Sequence, residues 1–520
     1  MIGSDTSLPK AHTIRAPRRF IHVPVAWLAA ALLGKMAVDN ILLLGFLHIS
    51  WNFVFVAILL AAGTIMILTA RSVSSVQSVS VTTIAFCLAI AILLLVLGGE
   101  GRLFYANTDW QVRDAVLADM AHNSWPVIYP IGGAAHLLRA PIGMYLLPAL
   151  VGGSRQIGLD MALLGCNAFV LTLLLALSSS LFPTVRGRAI ALIVFIGFSG
   201  LDILGTGFVR WFGMPASLDH LEQWAPNLQY SSTITLIFWV PQHAFAGWTC
   251  AILYLLWYKG RLGIGPFAAS IPLVALWSPL AIMGAVPFVI LAAIRSIVAD
   301  RITKRDVGLA AIGLAFALPA LIYLHADAGQ LPSGLNRSPP AAYMLEILLE
   351  VAVYAVPLAI MRPRSFVGKD TLLLTIGCLL LMPIYRISTG SDFQMRASIM
   401  PLAILALAVA DLVIRDFSRD GDARIRRGFA ITLALGIGAV TSGFELRRAV
   451  TQRAAPTPSC SLIGIWQRQI GLSAPLSTYL ARLEALPLLL RPTSVREVEI
   501  ARDPISCWDR PWRMERRPTV

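Results

Sequence analysis

Long apolar runs alternate with short polar connections along almost the whole chain. Most runs approach about 20 residues, the length that a helix needs to cross the hydrocarbon of a bilayer. They are continuously apolar and lack a period of two, which excludes a transmembrane β-barrel. The pattern therefore predicts an all-α polytopic membrane protein with about 11–13 transmembrane helices. The predicted spans are 24–46, 51–69, 81–98, 159–182, 188–206, 234–257, 264–277, 279–295, 307–325, 343–361, 371–385, 396–415 and 428–444.

The pair of runs at 264–277 and 279–295 differs from the others because it contains four prolines. Proline removes a backbone donor and breaks or kinks a helix. We therefore expect short or broken helices at this pair.

Positive charge is concentrated in alternate connections. If the N-terminus is cytoplasmic, every cytoplasmic connection carries Lys or Arg: Arg71, Arg186–Arg188, Lys259–Arg261, Arg295–Arg305, Arg362–Lys369 and Arg415–Arg427. This is the arrangement of the positive-inside rule. It accounts for the net charge of +14 in a chain that is 57% hydrophobic and only 13% charged, and it favours a membrane topology over nucleic-acid binding.

The same topology sets the expected organisation of the chain. We predict a cytoplasmic segment 1–23, three spans in 24–98, a large external loop 99–157, the remaining bundle 158–445 and a small external C-terminal region 446–520. Leu137–Val151 is apolar but short, and counting it as a span would invert all later topology. We interpret it as an interfacial helix on the outer surface.

The first external loop holds the richest set of polar residues. Asn107-Thr108 is a helix-start signal, and Asp109 and Arg113 then share a face at i,i+4 spacing on an amphipathic helix of about three turns. The pair is either a solvated ion pair or a carboxylate held at the membrane surface as a general base. Asp114 is a second catalytic candidate. Trp110 and His122 are candidates for a substrate cavity.

Two other external regions add candidates. Gln242 and His243 lie inside an apolar run, where they either line the substrate cavity or make a structural hydrogen bond. Asp392 is i,i+4 from Arg396 in the last external loop. This pair is either a local salt bridge at a capped helix start or part of the site. In the second interpretation we assign Asp392 to the cavity, and Arg396, Arg386 and Arg113 to a donor phosphate, because guanidinium matches phosphate geometry.

Two further pairs have specific expectations. Lys35 and Asp39 lie i,i+4 within the first apolar run, where each neutralises the other; a proton relay is the alternative role. Cys460 and Cys507 lie in the polar C-terminal region and are predicted to form a disulfide if that region is in an oxidising compartment.

Part of this pattern resembles a known family. Asp109 follows a span, a short helix and Trp125-Pro126 come next, and the stretch Pro141-Ile-Gly-Met-Tyr145-Leu-Leu-Pro precedes a further span. The arrangement is similar to the first external loop of GT-C glycosyltransferases, among them protein mannosyltransferases and enzymes that add aminoarabinose to lipid A. The resemblance covers residues 99–182, while the remainder agrees in hydropathy.

The resemblance implies a GT-C-like bundle with external interfacial helices in a bacterial inner membrane. It implies inverting transfer of a sugar from a polyprenyl-phosphate donor to a lipid, glycan or protein acceptor on the periplasmic face. Asp109 would match the family's carboxylate that accepts the acceptor's proton. The chain departs from the family in having two extra spans before the loop. It also lacks a clear Asp-x-Asp or Glu-x-Asp pair in its external loops, so no cofactor is firmly implied and a divalent metal requirement is left open.

A second functional class competes with the enzyme. A transporter or a lipid or polysaccharide flippase would explain polar residues within spans, such as Lys35, Asp39 and His243. Against it, the two halves show no inverted repeat, and the polar residues concentrate on one side of the membrane. A non-catalytic assembly protein is the remaining class.

Overall fold

The apolar runs form helices. A computed structural model describes residues 21–72, 77–214, 220–360, 366–388, 390–416, 422–454, 456–470 and 476–508. Helices make up 70% of the structure. Within the described residues, eight helices are long and apolar enough to cross a membrane: Val25–Phe46, Trp51–Ala70, Gln156–Ser180, Val185–Trp211, Pro279–Val298, Lys304–His325, Pro340–Ile360 and Gly428–Thr451. The protein has the all-α architecture of a multi-pass membrane protein.

The helices follow the predicted order. They are α1 (Val25–Phe46), α2 (Trp51–Ala70), α3 (Val81–Leu97), α4 (Thr108–His122), α5 (Gly143–Val151), α6 (Gln156–Ser180), α7 (Val185–Gly197), α8 (Asp202–Trp211), α9 (Thr233–Trp239), α10 (Pro241–Tyr258), α11 (Ile264–Leu273), α12 (Pro279–Val298), α13 (Lys304–His325), α14 (Pro340–Glu346), α15 (Val353–Ile360), α16 (Lys369–Leu381), α17 (Asp392–Ala397), α18 (Ile399–Asp416), α19 (Asp422–Thr451) and α20 (Leu462–Ile465). A π-helical stretch, Ile347–Ala352, joins α14 to α15. Helices α7 and α8 together make up the segment Val185–Trp211.

Side-chain caps define several helix starts. Ser80 accepts a hydrogen bond from the Thr83 amide at α3, and Thr184 does so from the Gly187 amide at α7. At α13, Thr303 and Asp306 form a reciprocal capping box. Such caps satisfy amides that have no partner within the helix, which is necessary where water is scarce.

The two ends of the bundle differ in composition. At one end, Arg261 donates to the Ser180 and Leu181 carbonyls, Lys259 to the Phe366 carbonyl and Arg305 to the Arg71 carbonyl, so these cationic connections lie together. The other end carries α4, α5 and the C-terminal region. We call it the α4 end.

Of the two proline-rich runs, only the first forms the short helix that was predicted. Helix α11 has 10 residues and ends at Leu273, and the chain turns before Ser278 caps α12. Helix α12 has 20 residues and continues through Pro287. The first helix is therefore too short to cross a bilayer, whereas the second is long enough.

Three small antiparallel sheets join distant segments. The strands are β1 (His22–Pro24), β2 (Ser78–Ser80), β3 (Ile128–Ile131), β4 (Ala134–Leu138), β5 (Ser333–Leu335), β6 (Tyr385–Ile387) and β7 (Leu480–Arg482), paired as β1–β2, β3–β4–β7 and β5–β6. In the middle sheet His136 pairs with Arg482, Leu137 with Ala481 and Leu138 with Leu480. The C-terminal region thus packs on the first loop.

The prediction of one interfacial helix over Leu137–Val151 was wrong in its first half. Residues Ala134–Leu138 form β4, because strands on both sides satisfy their backbone groups. Helix α5 occupies only Gly143–Val151 and is largely buried, and the Gly143 amide donates to the Leu276 carbonyl at 3.0 Å. It is therefore a packed component of the α4 end.

Some predicted segments fall partly outside the described residues. They are the N-terminal segment 1–23, of which 1–20 lie outside, and the connections Arg362–Lys369 and Arg415–Arg427. The predicted boundary at 445 lies inside α19, which continues to Thr451.

Candidate functional site

Asp109 lies in the first turn of α4, and the start of this helix is fastened to a neighbouring helix. The Asn107 side chain accepts a hydrogen bond from the Asp109 amide at 3.0 Å and donates to the Phe238 carbonyl of α9 at 2.6 Å. The indole of Trp110 donates to the same carbonyl at 2.8 Å. The predicted helix-start signal is confirmed, and these bonds hold Asp109 in a defined position.

The Asp109 carboxyl is deep in the protein but accessible. Arg113 Nη2 lies 3.3 Å from its Oδ2, and 46% of the Asp109 side chain is accessible against 4% for Arg113. The guanidinium of Arg113 lies over the Trp110 ring, 5.4 Å from its centroid. Its Nε and Nη1 atoms are buried and, among the described residues, have no hydrogen-bond partner. The pair thus presents an accessible oxygen acceptor beside unused donors.

A second acid–base pair faces this one. On α17, Arg396 Nη2 lies 3.0 Å from Asp392 Oδ1. Both groups act electrostatically on Asp109, although they come from a loop far away in sequence. Arg396 Nε is also buried without a hydrogen-bond partner within the described part of the chain. Two carboxylates and two guanidiniums therefore converge at the α4 end.

The surroundings of Asp109 shift its pKa in opposite directions. Burial raises the pKa of the Asp109 carboxyl, Arg113 and Arg396 counteract the rise, and Asp392 adds to it. A carboxylate whose pKa is raised is a stronger base at neutral pH, provided that it remains ionised. The arrangement can accept a proton at Asp109 and hold an anion between the two guanidiniums.

Two tyrosines complete the cluster, and neither was among the predicted site residues. Tyr479 lies within electrostatic range of all four charged groups, and burial raises its pKa. Tyr145 of α5 interacts with Arg113 and Tyr479. Both phenols are neutral donors there. Tyr145 stands in the family-like motif, whereas Tyr479 reaches the site through the β4–β7 pairing, for which the sequence has no local signal.

Asp114 faces a different network from Asp109. Five residues separate the two, which places them about 140° apart around the helix axis. Asp114 Oδ2 lies 3.0 Å from Arg102 Nη2, and Arg102 Nε donates to Asp160 at 2.9 Å. Burial raises the pKa of Asp114 to about 7, while Arg102 opposes the rise. The structure thus separates the two predicted catalytic carboxylates.

The predicted cavity residues also fall into two groups, one close to the cluster and one far from it. His243 lies within electrostatic range of Arg396 and Arg113, and its Nδ1 is 2.9 Å from Ser278 Oγ. The Oε1 atom of the adjacent Gln242 is buried and, among the described residues, has no hydrogen-bond partner. His122 is at the opposite end of α4, about 20 Å from Asp109 by helix rise, with Nε2 3.2 Å from the Ser154 carbonyl.

Arg386 lies on β6 and lines a cleft with Arg337, and none of the cluster residues lines this cleft. Arg396, in contrast, acts electrostatically on Asp109. In the sequence, Arg386 and Arg396 lie in one loop, and no local signal distinguishes which of them binds an anion. Only the fold distinguishes their positions.

The C-terminal region is cross-linked internally by a disulfide and attached to the first loop by polar contacts. Cys460 and Cys507 form a disulfide. Asp119 of α4 accepts hydrogen bonds from the Tyr129 hydroxyl at 2.6 Å and the Leu462 amide at 2.8 Å. Burial raises the pKa of Asp119 to about 7. These contacts support the segment that carries Tyr479.

No group of three or more His, Cys, Asp and Glu side chains within the described ranges is arranged to hold a metal ion. No protein-family profile matches the chain. No curated protein and no solved structure matches it either.

Proposed function

We propose that the chain is an integral membrane glycosyltransferase of GT-C type, with a bundle of about 11–13 transmembrane helices. It takes a sugar from a polyprenyl-phosphate donor and transfers it with inversion to a lipid, glycan or protein acceptor. The site lies on the periplasmic face of a bacterial inner membrane, with the N-terminus cytoplasmic and the C-terminal region periplasmic. The cationic connections at the opposite end of the bundle support this orientation.

The observation that carries the proposal is the convergence of Asp109 with Arg113 and Arg396. Transfer from a phosphate-linked sugar needs a base near the attacking hydroxyl and cations near the departing phosphate. Asp109 is accessible and has a raised pKa. The two guanidiniums have buried donors without partners among the described residues.

In the proposed mechanism, the acceptor hydroxyl donates its proton to Asp109 as its oxygen attacks the anomeric carbon. The bond from that carbon to the phosphate oxygen breaks, and the electron pair leaves with the polyprenyl phosphate. Arg113 and Arg396 stabilise the charge on the leaving phosphate through ionic hydrogen bonds. One displacement inverts the configuration at the anomeric carbon.

The test is transfer of radiolabelled sugar in membranes, from a panel of polyprenyl-phosphate sugars. Asp109→Asn should lower transfer about 10²–10⁴-fold, the range for loss of a general base. Glu499→Gln, which removes an exposed carboxylate at the same end, should transfer at the wild-type rate. Equal transfer by wild type and Asp109→Asn would exclude Asp109 as the base.

A transporter or flippase is the second candidate, favoured by a separate group of buried carboxylates. Asp202, Glu346 and Glu350 are all buried, and Asp202 accepts hydrogen bonds from Ser199 and Thr441 at 2.9 Å each. A Cβ at Gly200 would lie 1.5 Å from Glu350 Oε2. Ionisable groups at membrane depth are typical of ion-coupled transport. Proton uptake into proteoliposomes that is lost in Glu350→Gln and kept in Asp109→Asn would favour this function.

A further inference from the structure

Arg337 and Arg386 line one cleft on the α4 end, separate from the cluster around Asp109. The cleft has a volume of about 860 Å³ and is also lined by Asn227, Ser333 and Asn336. This volume is within the range of about 300–1,000 Å³ that is usual for small-molecule sites. All the charged residues that line the cleft are arginines.

Hydrogen bonds between distant segments hold the walls of the cleft. The Asn336 side chain donates to the Asn227 carbonyl at 2.9 Å and to the Pro383 carbonyl at 3.0 Å. The Asn336 amide donates to the Ile384 carbonyl at 2.8 Å, and Gly334 pairs with Arg386 across β5–β6. The cleft is therefore formed before any ligand binds, which lowers the entropic cost of binding.

Among the described residues, no carboxylate forms a salt bridge with Arg337 or Arg386. Arg386 is half-buried, and its Nε atom is buried without a hydrogen-bond partner in the described part of the chain. A buried donor without a partner is costly, so an anion that accepts from it would gain binding energy.

The surroundings of the cleft are apolar and exposed. Leu335, which lines it, is 72% exposed, and Ile384 and Leu381 beside β6 are also exposed. Leu381 ends helix α16, which reaches the cleft from within the bundle. A cationic cleft bordered by exposed apolar side chains matches a phosphate headgroup with its acyl chains attached.

We propose that the Arg337–Arg386 cleft binds a phosphate-bearing anion, with a membrane lipid headgroup as its source. Arg386 thereby has a role distinct from that of Arg396, and the inference holds whether or not the chain transfers a sugar. The guanidiniums donate hydrogen bonds to the phosphate oxygens, and Leu335 and Ile384 contact the first methylenes of the lipid.

The test measures the apparent Kd of purified full-length protein in neutral detergent. The probes are short-chain phosphatidylglycerol, short-chain phosphatidylcholine and inorganic phosphate. Wild type should bind phosphatidylglycerol more tightly than phosphatidylcholine. The double variant R337Q/R386Q should weaken phosphatidylglycerol binding by at least about tenfold, since each arginine supplies hydrogen bonds to a charged group.

Two controls and one further test variant make the result decisive. R502Q removes an exposed arginine at the same end and should bind like wild type. Asp109→Asn should also bind like wild type, which separates this site from the proposed function. Arg337 is exposed, so R337Q decides the outcome if the double variant does not fold.

Inorganic phosphate that binds as tightly as the lipid, with the same loss in R337Q, would support the anion site with a soluble source. Identical affinities for wild type, R337Q and R337Q/R386Q with every probe would overturn the proposal.

Discussion

Two ion pairs with the same i,i+4 spacing lie in contrasting surroundings. Lys35 and Asp39 of α1 are 2.6 Å apart and buried, and both Asp39 oxygens accept from Lys35 while one also accepts from the Trp277 indole at 2.9 Å. Asp109 and Arg113 of α4 are 3.3 Å apart, with Asp109 accessible. The first pair satisfies its charges internally, whereas the second leaves an acceptor and donors available. Spacing alone does not separate a structural pair from one that can bind a ligand.

The largest effect is expected at Asp109, where a substitution should reduce sugar transfer but leave the stability of the protein nearly unchanged. Asp109→Asn should reduce sugar transfer by about 10²–10⁴-fold. The same change should alter the free energy of unfolding by less than about 1 kcal/mol, because asparagine still accepts from Arg113 and the Asp109 side chain is partly accessible to solvent. Transfer assays and thermal unfolding of one preparation measure both quantities. A large loss of stability with proportional loss of transfer would show that the pair is structural after all.

The buried pair should give the opposite result. Asp39→Asn leaves Lys35 as an uncompensated charge inside the bundle and should destabilise the protein by about 3–5 kcal/mol. The double variant Lys35→Met/Asp39→Asn removes the charge, retains an acceptor for Trp277 and should recover most of this stability. Thermal unfolding in detergent provides the comparison. Wild-type stability of Asp39→Asn would disprove the assignment.

Replacing Arg396, which is distant from Asp109 in sequence, tests whether this arginine belongs to the site. Arg396→Lys retains the charge but loses the planar fork, so transfer should fall about 10–100-fold. Arg386→Lys should retain the wild-type rate, because Arg386 lies in the separate cleft. Initial rates at several donor concentrations measure the effect. Equal losses in the two variants would contradict their separation.

The pH dependence of transfer follows from the raised pKa of Asp109. A base must be ionised, so kcat/KM should rise with pH through the pKa of this carboxyl, which burial places above its ordinary value. The residual rate of Asp109→Asn should not show this rise with pH. A pH–rate profile of both proteins makes the measurement. An identical acid limb in the variant would assign it to another group.

Stability should also depend on pH through Asp119. Its pKa is about 7 in the folded protein and about 4 when unfolded, so the folded state binds more protons between these values. Its stabilising contribution is therefore complete below about pH 4 and lost as pH rises towards 7. Relative to wild type, Asp119→Asn should show a weaker decline of Tm across this range. The effect comes from one carboxyl and is spread over about three pH units.

Hydropathy predicted the order of the helices, because lipid demands long apolar segments regardless of their neighbours. The prolines predicted the short α11. It failed at Leu137–Leu138, since an apolar stretch bounded by Pro141 fits a strand as well as a helix. The start of α4 was predictable because the Asn107 cap is local. The position of Tyr479 was not, because a strand pairing across the chain determines it.

The sequence by itself determined the membrane class, the α4 helix start and the i,i+4 pairs, since these depend on local composition and spacing. Tertiary structure decided which charges meet. It placed Arg396 near Asp109, assigned Arg386 to another cleft and paired Asp114 with Arg102. The physical reason is that electrostatic interaction depends on distance and burial, which are set by the packing of segments remote in sequence.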